Sequence, residues 1–211
     1  MSSPHVTLMI ATGCQHCPMV LQALSELIKA GTIGSLEVIN IQQNPERAQQ
    51  YNVRSVPWVK IGDFELVGLR SQGELKQWVE RVNDPGIMGQ YFEELMTTGE
   101  INKVQELVQN TPAYFAALLE LMAGEETSLS ARIGVGALME EFSGSDLLKN
   151  NIDALGEYTR SDTARVRNDA CHYLGLSKDA RAEQYIRPRL EDSDEEVREV
   201  AAEALEEIND A

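Results

Sequence analysis

Cysteine is scarce in this chain, with three in 211 residues. Two of them, Cys14 and Cys17, share one CxxC, so no set of widely spaced cysteines is left to build a disulfide framework. Hydrophobic runs are short, and none approaches the roughly 18 residues of a membrane-crossing helix. The stretch Met1 to Gly13 has no basic flank and only a brief apolar run, Val6 to Ala11, too short and too neutral for a secretory leader. The expectation is a cytoplasmic chain. Basic residues are also in deficit, with 18 Lys and Arg against 34 Asp and Glu and a net charge of −16. An acidic surface argues against nucleic acid and anionic membranes as partners. It suits a basic partner, although a solvated face tuned for solubility is the plainer reading.

The deficit is uneven. Residues 1–82 hold seven Lys/Arg and seven Asp/Glu, so all of the imbalance falls in 83–211, which has 11 basic and 27 acidic residues. Two regions with different surfaces are implied, with the boundary at the turn cluster Asn83-Asp84-Pro85-Gly86. The expected domains are 1–84 and 85–211.

What is present in the first region is an ordered alternation. His5 to Ala11 and Leu36 to Ile41 read as buried strands. Between them, Val20, Leu21, Leu24, Leu27 and Ile28 recur at helical spacing, with Pro18 in the first turn and Gly31 as the stop. Pro45 to Tyr51 predicts a short helix. Trp58 to Ile61 and Glu65 to Leu69 flank a Gly62-Asp63 turn and read as a hairpin. Ser71-Gln72-Gly73-Glu74 is a capping-box pattern ahead of Leu75, Trp78, Val79 and Val82. The order is β-α-β-α-β-β-α. The first two strands should pair parallel through a right-handed crossover and the last two antiparallel, giving a mixed four-stranded sheet.

The second region shows helical patterns only, at 88–97, 101–109, 113–123, 130–142, 147–158, 163–176, 180–190 and 195–208. It repeats itself. Asp162 to Ala170, ending in Leu174, is echoed by Asp194 to Ala201, ending in Leu205, with Val166 and Val197 a step of 31 apart. A weaker copy, Ala131-Arg132 with Val135 and Met139, lies 35 residues before Val166. Each helix pair would have to stack on its neighbours to bury its apolar face. The D-x-x-V-R-x-x-A-x-x-x-L pattern resembles HEAT-like repeats of the phycobilisome-lyase type over about 112–209. The resemblance implies that Arg167 and Arg198 bridge to acids of a neighbouring unit. Cys171 reads as core filler, His172 as a surface or inter-helix residue, and Met122 and Met139 as core.

Chemistry concentrates at Cys14-Gln15-His16-Cys17. Disulfide exchange needs a thiolate. Cys14 stands at a strand end just ahead of a helix, where unpaired N–H groups and the helix dipole favour a negative sulfur. Cys17 follows one turn on, within reach to resolve a mixed disulfide. A protonated His16 would favour the thiolate and make the pair more oxidising. With a strand before, a helix after and Val56-Pro57 forty residues on, residues 5–82 resemble thioredoxins and glutaredoxins. Asn40 to Pro45 and Tyr51 to Pro57 read like the corresponding thioredoxin segments. The resemblance implies a cis-proline at Pro57 beside the cysteines. It also implies that Val56 offers its backbone to substrate and that Pro57 keeps metal from the thiols. Gly13 stands where thioredoxins carry Trp, and Leu8 stands at the spacing of their buried Asp. Gln15-His16 replaces Gly-Pro. The His resembles that of disulfide isomerases and periplasmic oxidants, and the CxxC-Pro ending resembles domains attached to peroxiredoxin reductases. The resemblance implies a minimal core without the strand and helix that precede the motif in full thioredoxins.

The expected activity is thiol–disulfide exchange, with Cys14 and Cys17 catalytic and Gln15 and His16 tuning the pair. Gly13, Val56, Pro57 and Trp58 are the candidate substrate contacts, Trp58 being evenly balanced with packing. No cofactor is expected. Expected partners are a protein disulfide client, a thiol reductase and a protein docked on the repeats. The redox direction and the use of glutathione stay open. Three alternatives stand beside this: a structural disulfide, which closes too short a loop to stabilise much; a Zn or Fe–S site, which needs four ligands where Cys14, Cys17, His16 and at most His5 are near and His16 would point away from its flanking cysteines on a helix; and a redox-switched adaptor whose CxxC controls docking.

Overall fold

The computed structural model describes residues 3–84 and 86–210. Pro85, in the turn cluster expected between the regions, lies outside them. The chain divides into two compact units between Ile87 and Met88.

The first unit runs β1 (His5–Ile10), α1 (Cys17–Lys29), β2 (Ser35–Asn40), α2 (Pro45–Gln50), β3 (Trp58–Ile61), β4 (Phe64–Val67) and α3 (Gln72–Glu80). The sheet order is β2-β1-β3-β4, with β1 and β2 parallel and the other pairs antiparallel. Strand alternation sends side chains to two faces. In register, Ile39, Met9 and Trp58 form one row, packed with Ile41, Tyr51, Val53 and Val56 around the α2 segment. Val6, Ile61 and Phe64 form a row on the opposite face. There Phe64 meets Trp78 of α3 at 5.0 Å between ring centres, and α3 packs on α1. Met9 and Leu8, neighbours on β1, are both fully buried, so β1 is the covered central strand that ends at the cysteines. The capping box forms: Ser71 N–H donates to Glu74 Oε2 (2.8 Å) and Glu74 N–H donates to Ser71 Oγ (3.2 Å).

The second unit is helical. It comprises α4 (Ile87–Thr97, whose first residue closes the first unit), α5 (Ile101–Asn110), α6 (Phe115–Ala123), α7 (Leu129–Glu141), α8 (Asp146–Lys149), α9 (Ile152–Tyr158), α10 (Ala164–Leu176), α11 (Glu183–Ile186) and α12 (Glu195–Asn209), with 3-10 turns at 112–114, 180–182 and 187–191. Two expected helices are broken. The 147–158 pattern splits into α8 and α9 at Asn150-Asn151, where the Asn151 side chain donates to the Leu147 carbonyl (2.8 Å) and competes with helical pairing. The 180–190 pattern becomes 3-10 turns around α11, with Pro188 providing no N–H for a continuous helix. The extensive packing of α10 on α12 depends on Gly175: a Cβ there would lie 2.9 Å from Ala204 Cα.

The repeated arginines share one task. Arg132 donates to the Thr127 carbonyl (2.7 and 3.0 Å), Arg167 to those of Ser161 and Asp162 (2.9 and 3.2 Å), and Arg198 to that of Asp192 (2.7 Å). Each ties down the turn before its own helix. Only Arg167 adds the expected acidic bridge, with Nε and Nη2 at 2.9 and 2.7 Å from the two oxygens of Asp192. For Arg198 the expectation is corrected: among the described residues it meets a backbone carbonyl rather than an acid. Arg167 beside Asp192 holds that carboxyl at about 2, well below the usual carboxylate range.

Candidate active site at the Cys14–Cys17 pair

β1 delivers the chain into a turn closed by the Cys14 N–H donating to the Ala11 carbonyl (3.2 Å). Gly13 takes φ +81° in this turn, a left-handed conformation that a side chain would strain. The turn is tied sideways to the end of β2. The Thr12 N–H donates to Gln42 Oε1 (3.3 Å), Asn40 Nδ2 donates to Thr12 Oγ1 (3.2 Å), and the Gln42 N–H donates to Asn40 Oδ1 (3.0 Å). No motif singled out Asn40 or Gln42, since side chains so far apart in sequence meet only through the parallel β1–β2 pairing. The signal available was their place in the thioredoxin-like segment Asn40 to Pro45.

Cys14 and Cys17 are joined by a disulfide, with Cα atoms 5.5 Å apart. Cys14 is half-buried, Cys17 is buried, and Gln15 and His16 are exposed. The Cys17 N–H, first of α1, points at Cys14 Sγ from 3.1 Å. The outer sulfur therefore sits at the helix N-terminus, where an orphan donor and the dipole favour anionic sulfur. Cys14 Sγ also lies 3.8 Å from the Val56 carbonyl oxygen. The Val56–Pro57 peptide bond is cis, with Val56 half-buried and Pro57 buried. Gly13, Val56 and Pro57 thus come together at the cysteines. Trp58 does not join them. It is 3% exposed and lies 5.4 Å from the Tyr51 ring, which decides the even balance for packing. A hollow of about 490 Å³ lined by Met19, Ala23, Leu69 and Arg70 lies against α1 two residues beyond Cys17.

Cys171 is fully buried and its thiol is pushed up to about 12 by that burial, so it is an inert core residue. His172 is half exposed and pairs with Glu140, Nε2 to Oε1 at 2.8 Å. Among the described residues, no group of three or more His, Cys, Asp and Glu is arranged to hold a metal ion.

A CxxC at a helix mouth beside a cis-proline, on a mixed four-stranded sheet, defines a thioredoxin-type thiol site, and a helical repeat region follows it. Comparison with known proteins agrees: residues 5–80 match the thioredoxin domain and residues 152–211 match HEAT repeats. The chain therefore joins a thioredoxin domain to HEAT repeats. A thioredoxin of Methanocaldococcus jannaschii is 28% identical over 83 residues, covering 98% of that protein and 38% of this chain. The domain match, the paired cysteines and this relative support a thiol redox role, that of a thiol–disulfide oxidoreductase in general.

Proposed function

We propose that this protein exchanges disulfides with a protein client selected by its acidic helical region. The observation that carries the reading is the position of Cys14 Sγ: half exposed, under the Cys17 N–H, beside the Val56 carbonyl and bonded to its partner sulfur. In the reducing direction the Cys14 thiolate attacks one sulfur of a client disulfide. A bond forms between Cys14 and the client, and the client's other sulfur leaves as a thiolate that takes a proton from water. Cys17, deprotonated, then attacks Cys14 Sγ and releases the second client thiol. The client gains two electrons, and the Cys14–Cys17 pair becomes the disulfide present here. A thiol reductase restores the dithiol. Every step is reversible, so the potential of the pair against its partners sets the direction. Val56 and Pro57 hold the client's backbone beside Cys14, Gly13 keeps the approach open, and exposed Gln15 and His16 tune the pair. A cytoplasmic setting, where thiols are kept reduced, favours reduction.

The test is a Cys17→Ser chain. It should accumulate client mixed disulfides through Cys14 that dithiothreitol releases, while Cys14→Ser traps none. The wild type should turn over many equivalents of a protein disulfide when a reductant is supplied. A single oxidation event without turnover would instead favour the redox-switched adaptor. Equal trapping by both variants would overturn the assignment of Cys14 as the attacking sulfur.

A further inference from the structure

Helix α7 carries an apolar face that nothing within its own unit covers. Leu129 and Ile133 are 71% and 65% exposed, more than any other large apolar side chain among the described residues. They stand four residues apart and so lie one above the other on the helix surface. Ala137, one turn further, is exposed as well. The inward positions Ala131, Gly134, Val135, Leu138 and Met139 are buried. The exposed stripe is therefore a second apolar face on a helix that already has one, and exposed apolar residues grouped in this way mark interaction surfaces.

Exposed acids flank it in sequence on both sides. Glu125 and Glu126 are exposed just before α7, and Glu140 and Glu141 are exposed at its last turn. Arg132, the helix's single cation, is committed to the Thr127 carbonyl. Among the described residues, Glu125, Glu126 and Glu141 are ion-paired to no Lys or Arg, and Glu140 meets His172 through one oxygen. At 1.5 Å per residue the apolar stripe from Leu129 to Ala137 is about 12 Å long, and Leu129 lies about 17 Å along the helix from the acids Glu140 and Glu141. That is the length of a helix of about three turns. A second copy of this chain does not fit, because whichever way two such faces are laid together, acidic ends meet acidic ends.

We propose that this face of α7 docks a basic amphipathic helix of the client protein, its apolar residues over Leu129, Ile133 and Ala137 and its Lys or Arg residues at the two acidic ends. This rests on the reading that the helical region selects the client, and it names the surface and the chemistry of the segment recognised.

The test uses the full chain and two fluorescent 18-residue peptides with the same leucine stripe, one ending in lysines and the other in glutamates. The lysine peptide should bind, more weakly as salt is raised. Binding should fall about tenfold in a Leu129→Gln, Ile133→Gln double variant, which loses apolar contact. It should fall about threefold in a Glu125→Gln, Glu126→Gln variant, which loses exposed ion pairs. Both variants should match the wild type in circular dichroism and in the rate at which their dithiol form reduces a small aromatic disulfide. Equal binding of the lysine peptide to the apolar double variant, or of both peptides to the wild type, overturns the docking site. So does self-association of the chain that the double variant abolishes. If no form reduces the small disulfide, it is the thiol–disulfide reading that fails, and peptide binding still reports on the docking face independently.

Discussion

At the scale of single residues, Cys14 owes its setting to side chains that do no sulfur chemistry. Asn40 and Gln42 hold the turn over Ala11–Cys14 through two hydrogen bonds to Thr12, and a third joins the two to each other; Gly13 supplies the left-handed kink. Replacing Asn40 by Ala should remove about 1 kcal/mol of stability, the ordinary net worth of a hydrogen bond of this kind. It should also slow reaction of the reduced Cys14 with an alkylating agent, because the sulfur would no longer be held under the Cys17 N–H. Denaturant titration checks the first effect and the pH profile of alkylation checks the second. An unchanged profile would mean that the network supports only the fold. The CxxC, the Gly and the Pro were legible in the sequence because each is a local signal. Asn40 and Gln42 were not, because their role exists only once β1 and β2 lie side by side.

At the scale of elements, the helical region depends on two devices. One is the arginine that ties each repeat to its preceding turn, and the other is close helix packing at small residues. Gly175→Val would drive a branched side chain into Ala204 and should cost about 2–3 kcal/mol as α10 and α12 are forced apart. Arg167→Ala would leave Asp192, 3% exposed at its side chain, as a buried carboxylate without its bidentate partner and, among the described residues, with only the single ionic contact from Arg189 Nη1 at 3.2 Å. That should cost about 3 kcal/mol, whereas Arg198→Ala, which breaks a bond to a carbonyl only, should cost about 1–2 kcal/mol. Chemical denaturation of the three variants ranks them, and an Arg198 loss equal to that of Arg167 would contradict the ion-pair argument. The repeat period revealed that these arginines matter. It did not reveal that their shared partner is a backbone carbonyl, since main-chain oxygens carry no sequence mark.

At the scale of the whole molecule, charge divides the chain into a balanced first part and an acidic second part. The buried exception in the acidic part sets an acid limit. Asp192 is held at about 2 in the folded state, below the ~4 of an unfolded chain. Its contribution to stability is therefore fully present above about pH 4 and is lost as pH falls through about 2. Unfolding midpoints of the wild type should fall across that window, and Asp192→Asn should start lower and change less over the same range. An identical pH slope in the variant would remove Asp192 as a source of the acid sensitivity. Among the described residues no helix is long and apolar enough to cross a membrane.

The amino-acid order by itself determined the β-α-β-α-β-β-α succession, the place of the thiol pair and the repeated helices. Periodicity, turn residues and a two-residue spacing are properties of neighbours along the chain. The folded structure alone decided which face each strand buries against, and with it the fate of Trp58, whose flank beside Pro57 allowed either a substrate contact or a core position. It also decided that Cys14 Sγ rests under a helix N–H beside Val56, and that Leu129 and Ile133 are left uncovered on α7. These are distances between segments remote in sequence, and they come into existence only when the segments pack.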